Sequence, residues 1–441
     1  MQGDVKMQLE IRRGGPSVRS AQECAVHQRI VRHMTGSGHC APLGSGVNPG
    51  RDLITRASMQ AKEHASLRAV PRDVWEQMLP GEPECWDYYV AVEATPPPGF
   101  VLGALAVMEG ERVLAAAPLF RVSYRIDTPL QGTLRKIGQW VFEHAPRLVS
   151  LPIVGLGSPV SDNLTIAFDP ALTQEERRAV FAVMLAKLEE IAAAEKCMLM
   201  AVKSIDELAD SLAPTFAARH YAKVTSVPLV MLDLPYKTYD EYLMSLPAKV
   251  RGYMKRKARA NARVRMEYRT SIDGLEREIY ALYQATLANS SVDYGDFEQL
   301  SPEYFSRVLA MLGDRAQLAL SWNGDQLVGF QLSLVDSARI VTKHIGMKYP
   351  EARELNLYFL NWLKMIEFAI ERRIPLVEMG ATTYATKLLF GGRLSRRWLY
   401  FRFRGDLTNW LLRPLIPLFD FERNDPELKA LAKDKAAVPA T

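Results

Sequence analysis

The chain has 441 residues, room for two or three ordinary domains, and its 48% hydrophobic and 24% charged residues are the balance of a globular protein. A net charge of +5 is too small to imply nucleic acid, and four cysteines without a C-x-x-C pair, with seven scattered histidines, point away from a disulfide framework and from a metal centre. No apolar run reaches the roughly 18–20 residues of a membrane span, and the N-terminus lacks an apolar signal core. The expectation is a cytoplasmic protein with free thiols, no metal and no stable membrane insertion.

Residues 1–65 are rich in Gly, Ser, Arg and His and have a loop composition, which predicts a disordered leader, with Met59 an alternative start. A first domain is expected over 66–230. Its "WDYYVAVEA" (86–94) predicts a strand, and two apolar runs around Glu109-Gly110-Glu111 predict a hairpin. Residues 131–146 read as a helix or loop, and 148–156 as a strand. The glycine-rich turn "GLGSPVSDN" (155–163) is expected to meet substrate or the other domain. Thr173 and the early glutamates open a helix to 197, followed by a buried strand at 198–205.

A second domain is expected over 231–405. It opens with a strand and a helix that carries a cationic run. A hairpin about Asn323-Gly324-Asp325 follows, then a strand at 338–347, an amphipathic helix at 357–373 and a short buried strand ending at Gly380. The two hairpins align without gaps around their central glycines, and the order hairpin, strand, helix, buried strand recurs. That pattern predicts an internal duplication and mixed α/β layers. Residues 406–441 read as a tail. Its "DLTNWLLRPLIPLFDF" is apolar, short and broken by two prolines, so docking on the protein is expected ahead of lying on a membrane surface.

The strongest chemical motif is Thr382-Thr383-Tyr384-Ala385-Thr386-Lys387-Leu388-Leu389-Phe390-Gly391-Gly392. A lysine held beside a glycine turn is a compact positive charge. It can stabilise the oxyanion formed when an amine attacks an ester or thioester, or bind a donor phosphate. A solvated lysine at a helix end is the other reading. Thr383 and Tyr384 are its neighbouring substrate-contact candidates. The cationic run holds Lys249, Arg251, Lys255, Arg256, Lys257, Arg259, Arg263 and Arg265 with no acid between them. These residues cannot share one helix face, so part of the run meets solvent or an anion such as the phosphates of CoA or tRNA. Arg251 and Lys255, one turn apart, are the candidate anchors. Glu378 on the buried strand could orient an amine or take its proton, with a structural role equally open. Asp293 and Tyr294 in a loop, His344 on a strand and Tyr358 at a helix start are further candidates, against turn formation and packing.

As an ordered set, "DLPYKTYDEYLMSLPAKVRGYMKRKARANARV", "GFQLSLV", "LNLYFLNWLKMIEFAIERRIPLVEMG" and "TTYATKLLFGG" resemble the Fem-type (FemAB-like) family over roughly residues 66–405. The resemblance implies two tandem GNAT-like (Gcn5-related N-acetyltransferase) domains of α/β, mixed-sheet class. It implies an acyltransferase moving an acyl or aminoacyl group from an activated, small-molecule or carrier-bound donor to an amine acceptor. Better-known members of the family take the amino acid from aminoacyl-tRNA, so tRNA is a possible partner and acyl-CoA a possible cofactor. The lysine of the family's Lys-x-x-Phe-Gly pattern is regarded as functional and falls on Lys387. The chain departs from the family in lacking a long helical-hairpin insertion. It departs from acetyl-CoA enzymes in carrying "KYPEARELN" where a glycine-rich pyrophosphate loop would stand. The alternatives are a tRNA-dependent, peptidoglycan-type peptide ligase and a non-catalytic module that binds an anionic ligand.

Overall fold

A computed structural model describes residues 58–125, 150–206, 208–260, 263–290 and 299–436. By contacts the chain divides into residues 56–429, which hold both sheets described below, and a second unit of residues 1–55 with 430–441.

The first sheet takes β1 (Met59–His64), β2 (Val101–Glu109), β3 (Arg112–Arg125), β4 (Ser150–Leu156), β5 (Ala167–Phe168), β6 (Leu199–Ile205) and β7 (Ala222–Thr225). Its helices are α1 (Arg72–Met78), α2 (Trp86–Ala94), α3 (Gln174–Ala194) and α4 (Leu208–Ala218). The second sheet takes β8 (Leu229–Asp233), β9 (Val264–Arg269), β10 (Ala316–Asn323), β11 (Gln326–Val335), β12 (Ile340–Met347), β13 (Leu376–Glu378) and β14 (Arg393–Ser395). With it go α5 (Tyr239–Ser245), α6 (Ala248–Ala260), α7 (Glu276–Ala288), α8 (Tyr304–Leu312), α9 (Glu351–Glu354), α10 (Leu357–Glu371) and α11 (Tyr384–Leu389). The chain ends with β15 (Trp398–Phe403), α12 (Asp406–Leu412), α13 (Phe421–Asn424) and α14 (Pro426–Ala436).

The sheet orders are β1-β2-β3-β4-β6-β15-β7, with β5 on β3, and β14-β8-β13-β12-β11-β10-β9. Each is antiparallel except for one pair, β4 with β6 and β12 with β13. A parallel pair needs a crossover, and α3 and α10 supply it. The duplication reaches into the register. In the first hairpin Met108 pairs Val113 and Val107 pairs Ala115; in the second Trp322 pairs Leu327 and Ser321 pairs Gly329. Both hairpins thus insert one bulged residue, Leu114 or Val328, at the same distance from the turn, as the ungapped alignment about Gly110 and Gly324 requires. Both glycines sit at positive φ, +59° and +62°. The fold is a mixed α/β pair of units built in the same order, each with one mixed sheet.

Several expectations are corrected. Met59–His64 is not leader but an edge strand paired along β2. Residues 86–94 form a helix, not a strand. Their Asp87, Tyr88, Tyr89, Val90, Ala91 and Val92 are all buried, so burial on every side erases the helical period and leaves only a misleading β-like composition. The boundary at 405 also fails: β15 leaves the second half and pairs with β6 and β7 of the first sheet. Reciprocally, β8 lies beside β13 in the position that β15 takes beside β6. Residues 406–436 carry helices and are not a structureless tail. Residues 131–146 lie outside the described residues.

The halves share one core. α2 packs against α8, and Tyr88, Val92, Tyr304, Phe305 and Leu309 join a single buried cluster with β10 and β11. The Tyr88 and Tyr304 hydroxyls meet at 3.1 Å. One position tests the tightness of this packing. A Cβ on Gly346 would run into the buried Phe330 ring and stand 2.8 Å from the Leu282 backbone. Gly346→Ala is expected to destabilise the protein by about 1–3 kcal/mol in chemical denaturation. Among the described residues no helix is long and apolar enough to cross a membrane.

Candidate functional site

The site lies where the parallel pair of the second sheet comes apart. β12 and β13 pair only at Ile340–Val377 and Val341–Glu378. β12 then runs on along β11 to Met347 with an irregularity that leaves Lys343 unpaired, between Thr342 opposite Ser333 and His344 opposite Leu332. The other strand turns away at Gly380, whose φ of +71° a side chain would resist. The two residues that lead into α11, Thr382 and Thr383, also have positive φ, +61° and +50°. A β-branched residue pays steric strain there, and two in succession mark a backbone held by its surroundings.

Lys387 stands on α11 behind this loop and is 3% exposed. Its Nζ donates to the Ala381 carbonyl at 2.5 Å and lies 5.6 Å from the centre of the Trp362 ring. Burial pushes its ammonium down to about 7, against the opposing pull of the Asp162 and Glu427 carboxylates. The Glu427 carboxylate accepts from the Ala385 amide at 2.7 Å and so fixes the start of α11. Thr383 and Tyr384 belong to the same loop. Tyr384 is buried, and Tyr358 lies against Thr383 with its hydroxyl pushed up to about 12 by burial. These four residues are brought together.

Glu378 is also buried, and burial raises its carboxyl to about 7 against the pull of Arg339. Asn163 donates to its two oxygens at 3.5 and 3.4 Å, and Arg397 in turn donates to Asn163. Glu378 therefore faces the Asn163–Arg397 side of the site, and Lys387 is not among the charges that act on it.

The residue that connects the two is Asp162, from the turn of the first half. It is half-buried, and its Oδ2 would be 3.9 Å from a Cβ on Gly380, at the mouth of the splay. Its carboxylate acts on Lys203, Lys343, Lys387, Arg397 and Glu378 alike. Among the described residues its side chain makes no hydrogen bond. Lys203 shapes the turn. Its Nζ donates to the carbonyls of Ser158, Pro159 and Ser161 at 3.0, 3.0 and 2.9 Å, and burial lowers it to about 8. The sequence singles out this turn without singling out Asp162. The one local signal was an acid directly after a run of turn residues that a following lysine strand could clamp.

Other candidates fall elsewhere. Arg251 donates to the carbonyls of Leu246 and Met244 at 3.0 and 3.4 Å, closing the end of α5, so it is a capping residue and not a free anchor. Lys255 is exposed on α6, as are Arg259 and the following Arg263. His344 is ringed by Tyr283, Tyr304 and Phe305, with Nε2 3.3 Å from the Tyr304 hydroxyl. Burial lowers it to about 3, which keeps the imidazole neutral among these aromatic side chains. Asp293 and Tyr294 lie outside the described residues. Where a pyrophosphate loop would stand, α9 holds Lys348 against Glu351 at 2.7 Å, and Arg353 reaches Asn289 at 3.4 Å. Among the described residues no group of three or more His, Cys, Asp or Glu could hold a metal.

The profile of the FemAB-like family, described as peptidoglycan biosynthesis/recognition, matches residues 166–391, just over half of the chain. No curated protein matches. Among solved structures, a tandem GNAT protein from the clavulanic acid biosynthesis pathway is similar at 16% identity, over 79% of this chain and 99% of that one, with a TM-score of 0.47. FemX is similar at 13% identity, over 77% and 96%, with a TM-score of 0.49. L-PGS from Bacillus licheniformis is similar at 10% identity, over 76% and 97%, with a TM-score of 0.44.

Proposed function

The chain belongs to the FemAB-like family, and on that premise we propose that it transfers an acyl or aminoacyl group from an activated carbonyl donor to an amine at the splay between β12 and β13. The observation that carries this reading is the buried Lys387 on a strained loop, on which the Asp162 carboxylate of the other half acts. The amine nitrogen attacks the carbonyl carbon, and a C–N bond forms as the carbonyl electrons move to oxygen. With one N–H given to Ala381, the Lys387 ammonium keeps two donors for that oxyanion. Asp162 takes the proton the new ammonium must lose, and Glu378 holds a second proton nearby. Collapse breaks the bond to the leaving sulfur or oxygen, which takes up the proton.

The donor is an acyl-CoA or another activated acyl carrier. The exposed cations Lys255, Arg259 and Arg263 favour a donor bearing several phosphates, a feature CoA and tRNA share. RNase treatment separates them: lost activity assigns aminoacyl-tRNA, and retained activity assigns the tRNA-independent donor. Asp162→Asn is expected to lower transfer on the order of 10²-fold, measured on the folded variant with whichever donor supports turnover. Wild-type rates in that variant would remove Asp162 from the reaction.

A further inference from the structure

The expectation that the segment after β15 docks on the protein is not met by α12. Leu407, Trp410 and Leu411 are 70%, 67% and 57% exposed. Spaced i, i+3 and i+4, they form one face of the helix. They are not scattered surface residues: nowhere else among the described residues do three large apolar side chains this exposed stand on one element.

The helix is held so that this face cannot turn inward. Asn409, on the opposite side, accepts from the Phe403 amide at 3.3 Å and donates to the His220 carbonyl at 3.0 Å. Asp406, the acid of the helix, is paired with Arg402 at 2.6 Å. Exposed Arg404 and Arg413 bracket the face, and neither has a salt bridge among the described residues. The carbonyl of Met198, itself 38% exposed, accepts from the Arg404 amide at 2.9 Å.

We propose that this face docks the protein reversibly on an anionic lipid surface, with Trp410 and the two leucines entering the headgroup boundary and Arg404 and Arg413 meeting lipid phosphates. Two physical arguments select this occupant. A few side chains on a seven-residue helix fall far short of the roughly 800 Å² per partner that a stable protein interface buries, so a second copy is not the fit. An indole and leucines flanked by unpaired arginines are the composition that partitions into a charged bilayer interface, where aromatic rings and cationic tips are both satisfied.

The test is co-sedimentation of the full chain with phosphatidylglycerol–phosphatidylcholine vesicles and with pure phosphatidylcholine vesicles. Binding is expected to the anionic vesicles. It should fall at least about tenfold in Leu407→Ser/Trp410→Ser/Leu411→Ser, whose exposed positions leave the melting curve unchanged. Arg404→Glu and Arg413→Glu should each weaken it by about fivefold, an effect that added salt mimics. The proposal is overturned by three results: no binding to anionic vesicles, equal binding to neutral ones, or full binding by the triple-serine variant. A wild-type dimer that the triple-serine variant dissolves would assign the face to a second copy and overturn it equally.

Discussion

Lys387→Met is expected to lower kcat/KM for transfer by about 10²–10³-fold while leaving the melting temperature close to that of the parent. The two halves of this result have one cause. Water solvates an ammonium better than the Trp362–Ala381 pocket does, which is why burial brings Lys387 from 10.5 down to about 7. Holding the charge there costs on the order of a few kcal/mol at neutral pH. Methionine fills similar space without that cost and gives up one hydrogen bond, so stability changes little while the oxyanion loses its partner. A variant with wild-type kcat/KM would end the catalytic assignment.

The same shift has a pH signature. Between about 7 and 10.5 the unfolded chain holds a proton that the folded protein does not. The destabilisation is therefore full below about 7 and relieved as pH rises through 10.5, and this contribution disappears in Lys387→Met. Glu378 acts in the opposite sense. Its folded value, raised from 4.5 to about 7, contributes stability that is present below 4.5 and lost as pH rises through 7. If Lys387 stabilises the oxyanion as proposed, kcat/KM should decline above pH 7 with unit slope. Lys387→Arg, which stays charged, should lose that decline whatever its absolute rate.

Glu84→Ala is expected to destabilise the protein by about 3–5 kcal/mol in urea titration. Glu84 precedes α2 in the first half, and its carboxylate meets the Lys343 ammonium of β12 at 2.5 Å with side chains only 4% and 2% exposed. Burial by itself would lower Lys343, but the Glu84 and Asp162 carboxylates outweigh it and hold the ammonium above its ordinary value. Removing Glu84 leaves that charge buried with its main partner gone, beside the Tyr88 ring at 5.2 Å. The double variant Glu84→Leu/Lys343→Met should recover most of the loss, because two apolar side chains need no desolvation. A Glu84→Ala change under about 1 kcal/mol would show that water reaches the pair. The position of this pair also links stability to function: it ties the first half to the bulge of β12, beside which the β12–β13 splay opens.

The features legible in the chain were those whose cause is local. Gly110 and Gly324 turn both hairpins because a positive φ is a property of the residue itself. The Thr173–Glu176 capping box starts α3 through groups three residues apart. Lys387 was found by its neighbours in sequence, and its loop, with Thr383, Tyr384 and nearby Tyr358, assembled as one piece. What local reading missed depends on partners far along the chain. The strand-like composition of α2 was overridden because α8, more than two hundred residues later, covers its remaining face. β15 joins the first sheet because the edges of β6 and β7 needed hydrogen-bond partners, and no pattern within Trp398–Phe403 says which sheet will offer them. The rings around His344 come from α7 and α8, which no pattern on its own strand names. The duplicated hairpins and the loop around Lys387 were therefore written in short-range chemistry. Asp162 acts on the lysine of the other half only once both halves have folded together, because charges interact through space and not along the chain.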